Sequence, residues 1–503
     1  MRKWLPLVAI CTGAFMLLVD VTIVVVALPD MATGLDTSFS SLQWVMDVYA
    51  LLLAALLLGA GSLADLIGRR RVYVAGTVLF AVSSLACGLA PDAGFLIAAR
   101  GVQGVGAAAM FATTMALINS IYQGRDRGVA FGVWGAVNGA AAAAGPIVGG
   151  LLVSPFGWRA VFLINLPVSA IAVVLTLKAV GESRNPHARR VDVPGTAAFA
   201  GAIGLVTYGL IRAGETGWSE GGTVASLAGG AVLLAVFAVV ETRRDEPMLD
   251  LRLFRNPSFT MIMIAGALLT LSAFAYGAYL SLWMQSLLGL SAIQTGLVIL
   301  PMSAVAFVVA GAGGRFFHEA APRLTIGIGL LFIGAGALAQ AVLSAGSSWW
   351  AVMPGLAIVG IGVGIGTPAL SSAAMAAVPV ERSGMAAGAV TTFRQVGFAL
   401  GIAVLGGVFR DGMAGSLEGR VPGSREMADA LSSGRAQAVL ERAPQARHLV
   451  EGAFAHGLNL TLVVSGVLGL ATGALVLLIV RRPGHSSGRT TAVPGAEMVS
   501  LGD

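Results

Sequence analysis

Residues 61–71, GSLADLIGRRR, separate two long apolar stretches, and this junction decides how the chain folds. The preceding residues 49–64 carry few polar groups and no charge, and charge-free stretches recur elsewhere, for example at 8–19 and 458–480. About 20 mainly apolar residues are enough for a helix to cross ~30 Å of hydrocarbon. Three arginines at the end of such a stretch belong at a membrane surface, where basic loops set orientation. The junction therefore predicts two consecutive membrane-spanning helices joined by a short basic turn.

The composition extends this interpretation to the whole chain. Of the 503 residues, 56% are hydrophobic and 11% are charged, whereas soluble domains carry roughly 25% charged residues. A water-soluble fold is thereby excluded. The apolar runs are continuous rather than alternating, which favours helices over the strands of a membrane β-barrel. The sequence thus predicts an all-α polytopic membrane protein.

The remaining composition argues against several classes of partner and chemistry. The net charge of +6 is spread over short loops between the apolar runs, so no nucleic-acid partner is expected. Cys11 and Cys87 fall inside predicted spans, and neither a disulfide nor a metal site is expected from them. Because no nucleotide-binding loop or H-E-x-x-H pair is present, we expect no cofactor and no enzymatic activity.

Hydropathy and loop residues predict fourteen membrane-spanning helices. An even number keeps both termini on one side, and the excess of arginine on that side places them in the cytoplasm, with the protein in the inner cell membrane. The predicted spans are residues 5–29, 42–63, 72–90, 94–120, 129–152, 158–178, 193–212, 222–241, 258–284, 291–312, 323–344, 349–376, 384–409 and 455–480.

A repeat divides the chain into two halves. Four glycines of the fifth predicted helix recur 256 residues later on the thirteenth, an offset that two six-helix bundles separated by two inserted helices explain. Residues 1–180 are expected to form the first bundle, 181–257 the inserted helices with their loops, and 258–480 the second bundle. Residues 481–503 are expected to form a cytoplasmic disordered tail. The glycines are Gly128, Gly132, Gly145 and Gly150, followed by Gly384, Gly388, Gly401 and Gly406.

Two charges are predicted to lie at equal depth inside the membrane. At 1.5 Å per residue, Asp20 is about 13 Å from the outer end of the first helix, and Arg100 is about 12 Å from the outer start of the fourth. A cation inside a span costs about 2.5–3.5 kcal/mol, so Arg100 needs a partner, and Asp20 is the candidate. Burial and a neighbouring arginine change a carboxyl's proton affinity in opposite directions. The pair is therefore a candidate for proton coupling, with a static structural pair as the alternative.

The 61–71 loop resembles the signature loop of the major facilitator superfamily, with Leu66 in place of the basic residue that usually follows the aspartate. Residues 96–108, LIAARGVQGVGAA, resemble the fourth-helix pattern of the same family without departure. In the loop, the acid and the arginines are positioned to form charge pairs at the helix ends, and the glycines permit close approach. The predicted conformational latch consists of Gly61, Asp65, Gly68, Arg69 and Arg70.

Two further stretches resemble a group within that family. Residues 18–29, LVDVTIVVVALP, resemble the first-helix signature of the fourteen-helix drug:proton antiporters (the QacA/EmrB-like group), with Val25 in place of the usual asparagine. Residues 141–150, AAAAGPIVGG, resemble the fifth-helix antiporter pattern, which is typical of exporters and permits tight helix packing. The resemblance covers essentially the whole chain and implies a major facilitator fold of fourteen helices that works as a monomer. The residues that match the antiporter pattern are Gly145, Pro146, Gly149 and Gly150.

Other polar and aromatic residues inside the spans are candidates for a substrate cavity. Asp47 lies about one turn into the second helix, where a solvated position near the outer surface is the alternative. Arg394 and Asn138 occupy equivalent places in the repeat, and the alternative for Arg394 is hydrogen bonding that stabilises the bundle. Two tyrosines on the ninth helix fit an aromatic drug pocket or packing at the lipid. The candidate set is Thr22, Asp47, Gln103, Asn138, Tyr276, Tyr279, Arg394 and Gln395.

Residues 410–454 form the one long predicted outer loop. Alanine, leucine and charged residues are mixed there, with the apolar residues at helical spacing. This pattern predicts an amphipathic helix on the membrane surface, and a solvated disordered loop is the alternative.

The leading functional prediction is a secondary antiporter that exports drugs, antibiotics or other lipophilic compounds by alternating access, driven by inward proton flow. Its partners are then the small-molecule substrate, protons and the lipid bilayer. Two alternatives stay open on the sequence. One is export of a specific endogenous metabolite or lipid, and the other is a membrane receptor without transport.

Overall fold

The computed structural model describes residues 2–184, 191–244, 247–316, 321–378 and 383–480. Within these residues the chain forms sixteen helices, which we number α1 to α16 after joining segments separated by a single residue or by a π-helical turn. They are α1 Leu5–Gly34, α2 Phe39–Ile67, α3 Arg69–Gly88, α4 Ala93–Ile121, α5 Gly124–Phe156, α6 Ala160–Ala179, α7 Val193–Thr216, α8 Gly221–Arg243, α9 Pro257–Leu287, α10 Ala292–Phe316, α11 Pro322–Gln340, α12 Met353–Ala376, α13 Ser383–Leu417, α14 Ser424–Ser432, α15 Ala436–Arg442 and α16 Arg447–Ile479.

The predicted all-helical membrane fold is confirmed. Thirteen helices of the described chain are long and apolar enough to cross a membrane, and α5, with 33 residues and an apolar half at Ala144–Phe156, supplies the fourteenth. Each predicted span corresponds to one of them, although most helices extend several residues beyond the predicted ends. The short helices α14 and α15 are additional. The predicted tail, 481–503, lies outside the described residues.

Side-chain caps and glycines fix several helix ends. Ser38 and Asp92 accept hydrogen bonds from the third backbone N–H of α2 and α4, which satisfies a donor that the helix itself leaves free. Gly68, between α2 and α3, has φ +120°, a conformation that favours glycine. These local signals make the turns short, so consecutive helices run antiparallel.

The antiparallel helices give the bundle two ends. We call the end that holds Leu5 and the α2–α3 turn at Gly68 the basic face, because Arg69–Arg71 lie there. We call the opposite end, which holds Gly34 and residues 418–446, the loop face.

Helix packing follows the predicted repeat. In the first half, α1 packs on α4, α5 and α6, and α2 packs on α4. In the second half, α9 packs on α12, α13 and α16, and α10 packs on α12. The halves meet along two seams, α5 with α10 and α2 with α13. Helix α5 therefore contacts α1 and α10 in the same way that α13 contacts α9 and α2, which is what a 256-residue repeat implies.

The inserted helices form a hairpin at one side of this arrangement. Helix α7 packs on α8, and it also contacts both α2 and α13. Trp44 of α2 and Tyr208 of α7 contribute an aromatic contact with ring centroids 6.2 Å apart. The hairpin thus covers the α2–α13 seam.

The predicted outer loop at 410–454 is shorter than expected. Helix α13 extends to Leu417 and α16 begins at Arg447, so the connection between them is 418–446. Its two short helices do not lie on a membrane surface as an isolated amphipathic segment. Leu431 and Leu440 are buried in the main core, and α14 packs against α13. The apolar faces of α14 and α15 therefore pack on protein rather than on lipid, because α13 and α9 present an apolar surface at the loop face.

Candidate functional site

Asp20 and Arg100 form a charge pair in the middle of the first bundle. Arg100 Nη1 donates to Asp20 Oδ2 at 2.7 Å, and the side chains are 2% and 0% exposed, respectively. Equal depth along α1 and α4 predicted this contact, and it is confirmed. Because a charge buried without a partner is strongly destabilising, each residue makes the position of the other possible.

Three neutral polar side chains complete the surroundings of Asp20. Gln103 and Asn165 donate to Asp20 Oδ1 at 3.2 and 2.8 Å, and both also donate to Ser84 Oγ, at 3.2 and 3.0 Å. All three are buried. Four helices, α1, α3, α4 and α6, thus contribute to one polar network.

The network also encloses the arginine. Arg100 Nε donates to the Val45 carbonyl oxygen at 3.1 Å, and Nη1 donates to Gln103 Oε1 at 2.8 Å. The guanidinium lies 4.1 Å from the ring centroid of Tyr49, a cation–π distance. In this conformation three side chains donate hydrogen bonds to the Asp20 carboxylate, which is fully buried, so proton exchange with solvent requires the helices to move.

Sequence reasoning missed two members of this network. Asn165 and Ser84 were not among the candidates, although an amide in an otherwise apolar sixth span is a usable signal, since such groups need hydrogen-bond partners. Ser84 gives a weaker signal, because serine is common in membrane helices.

The antiporter-pattern residues on α5 pack against both halves of the protein. A Cβ on Gly145 would clash with the Thr22 hydroxyl on α1, and one on Gly149 would lie 3.0 Å from Ile23. A Cβ on Gly150 would clash with the Ile293 backbone at the start of α10. Thr22 itself bonds to the Leu18 carbonyl of its own helix at 3.0 Å. The small residues therefore allow α5 to approach α1 and α10 at the loop-face half of the α5–α10 seam.

The α2–α13 seam is closed at the same face. Gln43 Nε2 donates to the Ile402 carbonyl oxygen at 3.0 Å, and the Tyr279 hydroxyl donates to that same carbonyl. The Tyr279 ring stacks on Phe409 with centroids 5.2 Å apart. Ser432 of α14 lines a small cavity together with Gln43 and Tyr279. The loop face is thus sealed across both halves.

Asp47 occupies a buried position, so a solvated acid near the surface, the alternative interpretation, is wrong. The side chain is 0% exposed, and neither carboxylate oxygen has a hydrogen-bond partner among the described residues. Asp47 lies one helical turn from Gln43 on the α2 face that contacts α13. The sequence pattern allowed Asp47 to be solvated, but the packing of α13 over α2 excludes water from this position.

The other cavity candidates are distributed over the second half and α5. The Tyr276 hydroxyl accepts from Gln340 Nε2 at 3.2 Å and is buried, so this tyrosine does not face lipid. Arg394 Nε and Asn138 Oδ1 are buried without hydrogen-bond partners among the described residues, so the expected carbonyl bonds do not reach Arg394 Nε. Gln395 follows Arg394 on α13 and is partly exposed. The structure does not bring these residues into contact with the Asp20 network.

The 61–71 loop is held by charge pairs and backbone contacts. Arg69 Nη2 lies 2.8 Å from Asp65 Oδ1, and Arg70 Nη1 donates to the Val180 carbonyl at 3.1 Å. The Arg70 backbone N–H donates to Glu182 at 3.0 Å. The loop therefore docks on the segment that follows α6. Gly61 does not mediate a close approach, since a Cβ there would lie 4.0 Å from Ala112.

Gly68→Ala is expected to destabilise this loop. Its φ of +120° is unfavourable for alanine, and a Cβ would lie 2.6 Å from Glu182 Oε1, so we expect a cost of about 1–3 kcal/mol. Thermal unfolding of the purified protein in detergent measures it as a lower midpoint. Gly181→Ala, where a Cβ would meet nothing within 4 Å, is the matched control. Equal midpoints for both variants would contradict the expectation.

An apolar cleft lies between the basic-face halves of α1 and α5. Its volume is about 510 Å³, and Thr12 is its one hydroxyl-bearing residue among the described lining. None of the eight predicted cavity residues line it. No sequence pattern predicted this cleft, because apolar residues on two membrane helices look alike whether they face lipid, core or a cavity. The lining consists of Trp4, Leu7, Val8, Cys11, Thr12, Phe15, Val129, Val133 and Val137.

These features define a class of protein. Twelve apolar helices in two equivalent halves with an inserted hairpin, an enclosed charge pair, one sealed face and a cleft at the other are the architecture of a membrane transporter built from parallel repeats. The sequence matches the family model of the Major Facilitator Superfamily over residues 10–402. The chain belongs to the Major Facilitator Superfamily, a family of transporters rather than enzymes.

Named relatives and solved structures agree with this assignment. The chain is 38% identical to the multidrug resistance protein Stp of Mycobacterium tuberculosis, over 82% of this chain and 77% of that protein. It is 31% identical to the multidrug efflux pump LfrA of Mycolicibacterium smegmatis, over 96% and 97%. The fold is shared with a bacterial homologue of the human lysosomal transporter Spinster in an inward-facing, unoccupied conformation, with a TM-score of 0.67, 17% identity, and 95% and 97% coverage.

Proposed function

We propose that the protein is a proton-coupled antiporter that exports drugs, antibiotics or other lipophilic compounds. The observation that carries the proposal is the buried Asp20–Arg100 pair, an ionisable group in a membrane helix bundle with a complete set of hydrogen-bond partners. Intramembrane ionisable groups of this kind are typical of proton relays. The similarity to Stp and LfrA, whose names state multidrug resistance and efflux, supports drugs as the substrate class.

Asp20 is the proton carrier in this mechanism, and Arg100 is its counter-charge. When the loop face is sealed, Arg100, Gln103 and Asn165 donate to the Asp20 carboxyl group. Opening of that face hydrates the network, weakens the pairing and allows protonation from outside. Return to the sealed state transfers the proton to the cytoplasm as Arg100 again binds the carboxylate. A proton affinity of Asp20 that differs between the two states is enough to bias the cycle.

Alternating access follows from the two seams. We assign residues 1–180 and 258–480 as the rocking bundles, with the hairpin at 181–257 between them. The loop face is sealed and the cleft lies at the basic face, so this conformation corresponds to the inward-facing state if the basic face is cytoplasmic. The positive-inside rule places the basic face, and with it both termini, in the cytoplasm of a monomeric inner-membrane protein. The 61–71 loop then acts as the inner latch.

The cleft between α1 and α5 is the proposed entry site for the substrate. Its apolar lining favours lipophilic molecules, and 510 Å³ fits a drug-sized compound. Inside the bundle, Thr22, Asp47, Gln103, Asn138, Tyr276, Tyr279, Arg394 and Gln395 remain the proposed contacts once the substrate has moved toward the centre.

Val133→Trp tests the cleft. The larger side chain fills part of the lining, and we expect the apparent affinity for a bulky lipophilic substrate to fall about tenfold, which corresponds to about 1.4 kcal/mol. Val239→Trp on α8 is the matched control, because Val239 is similarly exposed and lies away from the cleft. Ethidium efflux from cells provides the measurement. The proposal for the cleft fails if both variants change efflux equally.

Reconstitution in proteoliposomes tests the function as a whole. An imposed pH gradient, acidic on the loop-face side, is expected to drive uphill movement of ethidium or a neutral antibiotic and a matching movement of protons. Binding of the same compounds without flux would identify a receptor instead. Transport that responds only to the cell's own metabolites or lipids would favour the second exporter class.

A further inference from the structure

The inserted hairpin is held at the basic face by a buried acidic contact with the segment that leads into the second bundle. Asp192 caps the start of α7 by accepting from the Gly195 N–H at 3.0 Å. Glu241, near the end of α8, accepts from the Leu249 N–H at 3.0 Å through Oε2. The contact therefore ties both hairpin helices to the segment 248–250, which leads into α9.

The two carboxyl groups face each other. Both side chains approach the same point, because a Cβ on Gly195 would clash with Asp192 Oδ2 and lie 2.6 Å from Glu241 Oε1. Asp192 is 6% exposed and Glu241 is 2% exposed. No donor of the described chain reaches either of these two oxygens. Two facing acceptors, buried and without a donor between them, are stable only if something positive lies between them.

Among the described residues, the surrounding charges do not supply that positive group. Arg244 Nε lies 3.7 Å from Asp192 Oδ1, the oxygen that already accepts from Gly195, and its side chain is 41% exposed. Asp250 is buried on the 248–250 segment and adds a further acid, whose Oδ1 accepts from the Arg252 N–H. Two further contacts that the structure describes here are uncharged: Thr196 bonds to Met248, and Met385 of α13 accepts from the Asp250 N–H.

We propose that Asp192 and Glu241 are a proton-binding site, in which one proton is shared between Asp192 Oδ2 and Glu241 Oε1. One group is then a carboxylic acid that donates to the other, a carboxylate, as two acids at contact distance do elsewhere. This site is separate from the Asp20 network and does not depend on the proposed transport function. Its role is to hold the hairpin against the second bundle.

The shared proton makes this contact sensitive to pH. Below the pH at which the pair loses its proton, the contact is intact. Above it, two adjacent buried carboxylates repel each other, and the bonds from Gly195 and Leu249 are the ones that open. The contact therefore loosens as the pH at the basic face rises, and it does not loosen as the pH falls.

Hydrogen exchange of the full-length protein in nanodiscs tests the proposal. We expect the protection factors of the amides at Gly195 and Leu249 to fall at least tenfold between pH 6 and pH 9. In Glu241→Gln, whose amide donates to Asp192 without titrating, protection is expected to stay constant over the same range. Glu220 at the start of α8 is the matched control, because it accepts from the Thr223 N–H in the same way, while hydrogen bonds from Arg212 lower the pKa of Glu220 to about 2.

Infrared spectroscopy gives a second readout, because it reports the protonated carboxyl group directly. A carboxylic acid C=O band is expected at pH 7 in the wild type, and it is expected to weaken in both Asp192→Asn and Glu241→Gln. The proposal is overturned if protection at Gly195 and Leu249 is as independent of pH as protection at Thr223. So would protection that increases with added sodium or magnesium ions while the band is absent, since a metal cation would then take the place of the proton.

Discussion

Asp20→Asn is expected to abolish uphill transport. The substitution keeps the shape of the side chain and removes the charge that Arg100 needs. Breaking a buried pair by removing one partner costs about 3–5 kcal/mol, so we expect active efflux to fall roughly 100-fold or more. Efflux measured in proteoliposomes at several imposed pH gradients is expected to lose its dependence on the gradient, while downhill exchange of substrate persists.

Asp30→Asn is the control for this prediction. Asp30 lies on the same helix, and its carboxylate accepts from the Trp158 N–H at 2.7 Å, away from the network. This variant is expected to keep the pH dependence of the wild type. If folded, membrane-inserted Asp20→Asn still exports against a gradient with unchanged pH dependence, the coupling role is wrong and the pair is structural.

Gly150→Val is expected to prevent closure of the loop face. A Cβ at this position would clash with the Ile293 backbone, so the α5–α10 seam cannot close as tightly. Overpacking of this kind costs about 1–3 kcal/mol, and most of that cost falls on the sealed state. We expect efflux to drop about tenfold or more. Spin labels at the loop-face ends of α5 and α10 are expected to show a longer distance.

Gly135→Val tests whether this effect is specific to the seam. Gly135 lies on the same helix, and a Cβ there would meet nothing within 4 Å. Its efflux and label distance are expected to match the wild type. A similar loss in both variants would mean that valine harms α5 in general, and the role assigned to the seam would then be contradicted.

The sequence was sufficient for the fold because its strongest signals are local. Continuous apolar runs and the Arg69–Arg71 turn mark helices and faces without reference to any contact. The repeat at Gly145 and Gly401 also predicted equivalent packing, since glycines on membrane helices mark close approach. The pairing of Asp20 with Arg100 was predicted from depth alone. Few charges lie inside the membrane, so a buried charge pairs with one at the same position along the membrane normal.

Other features depended on contacts that no local pattern encodes. Asp47 is buried because α13 covers it, and the sequence does not say which face of α2 meets α13. The 418–446 connection has the same periodicity whether its apolar face meets lipid or protein. Asn165 belongs to the network because of the register between α6 and α1. Depths predicted from the sequence are accurate to only a few residues, so they cannot resolve this register. The Asp192–Glu241 contact spans 49 positions of the chain and arises from the hairpin turn between them.

The placement of the α7–α8 hairpin makes the protein asymmetric toward the bilayer. It covers one of the two seams between the halves, where α7 contacts α2 and α13, whereas the described residues show no comparable packing of the hairpin on the α5–α10 seam. A lipophilic solute that diffuses laterally in the bilayer therefore meets the hairpin on the side of the α2–α13 seam. On the side of the α5–α10 seam it reaches the two halves directly. Molecules recruited from the leaflet should arrive from a single direction.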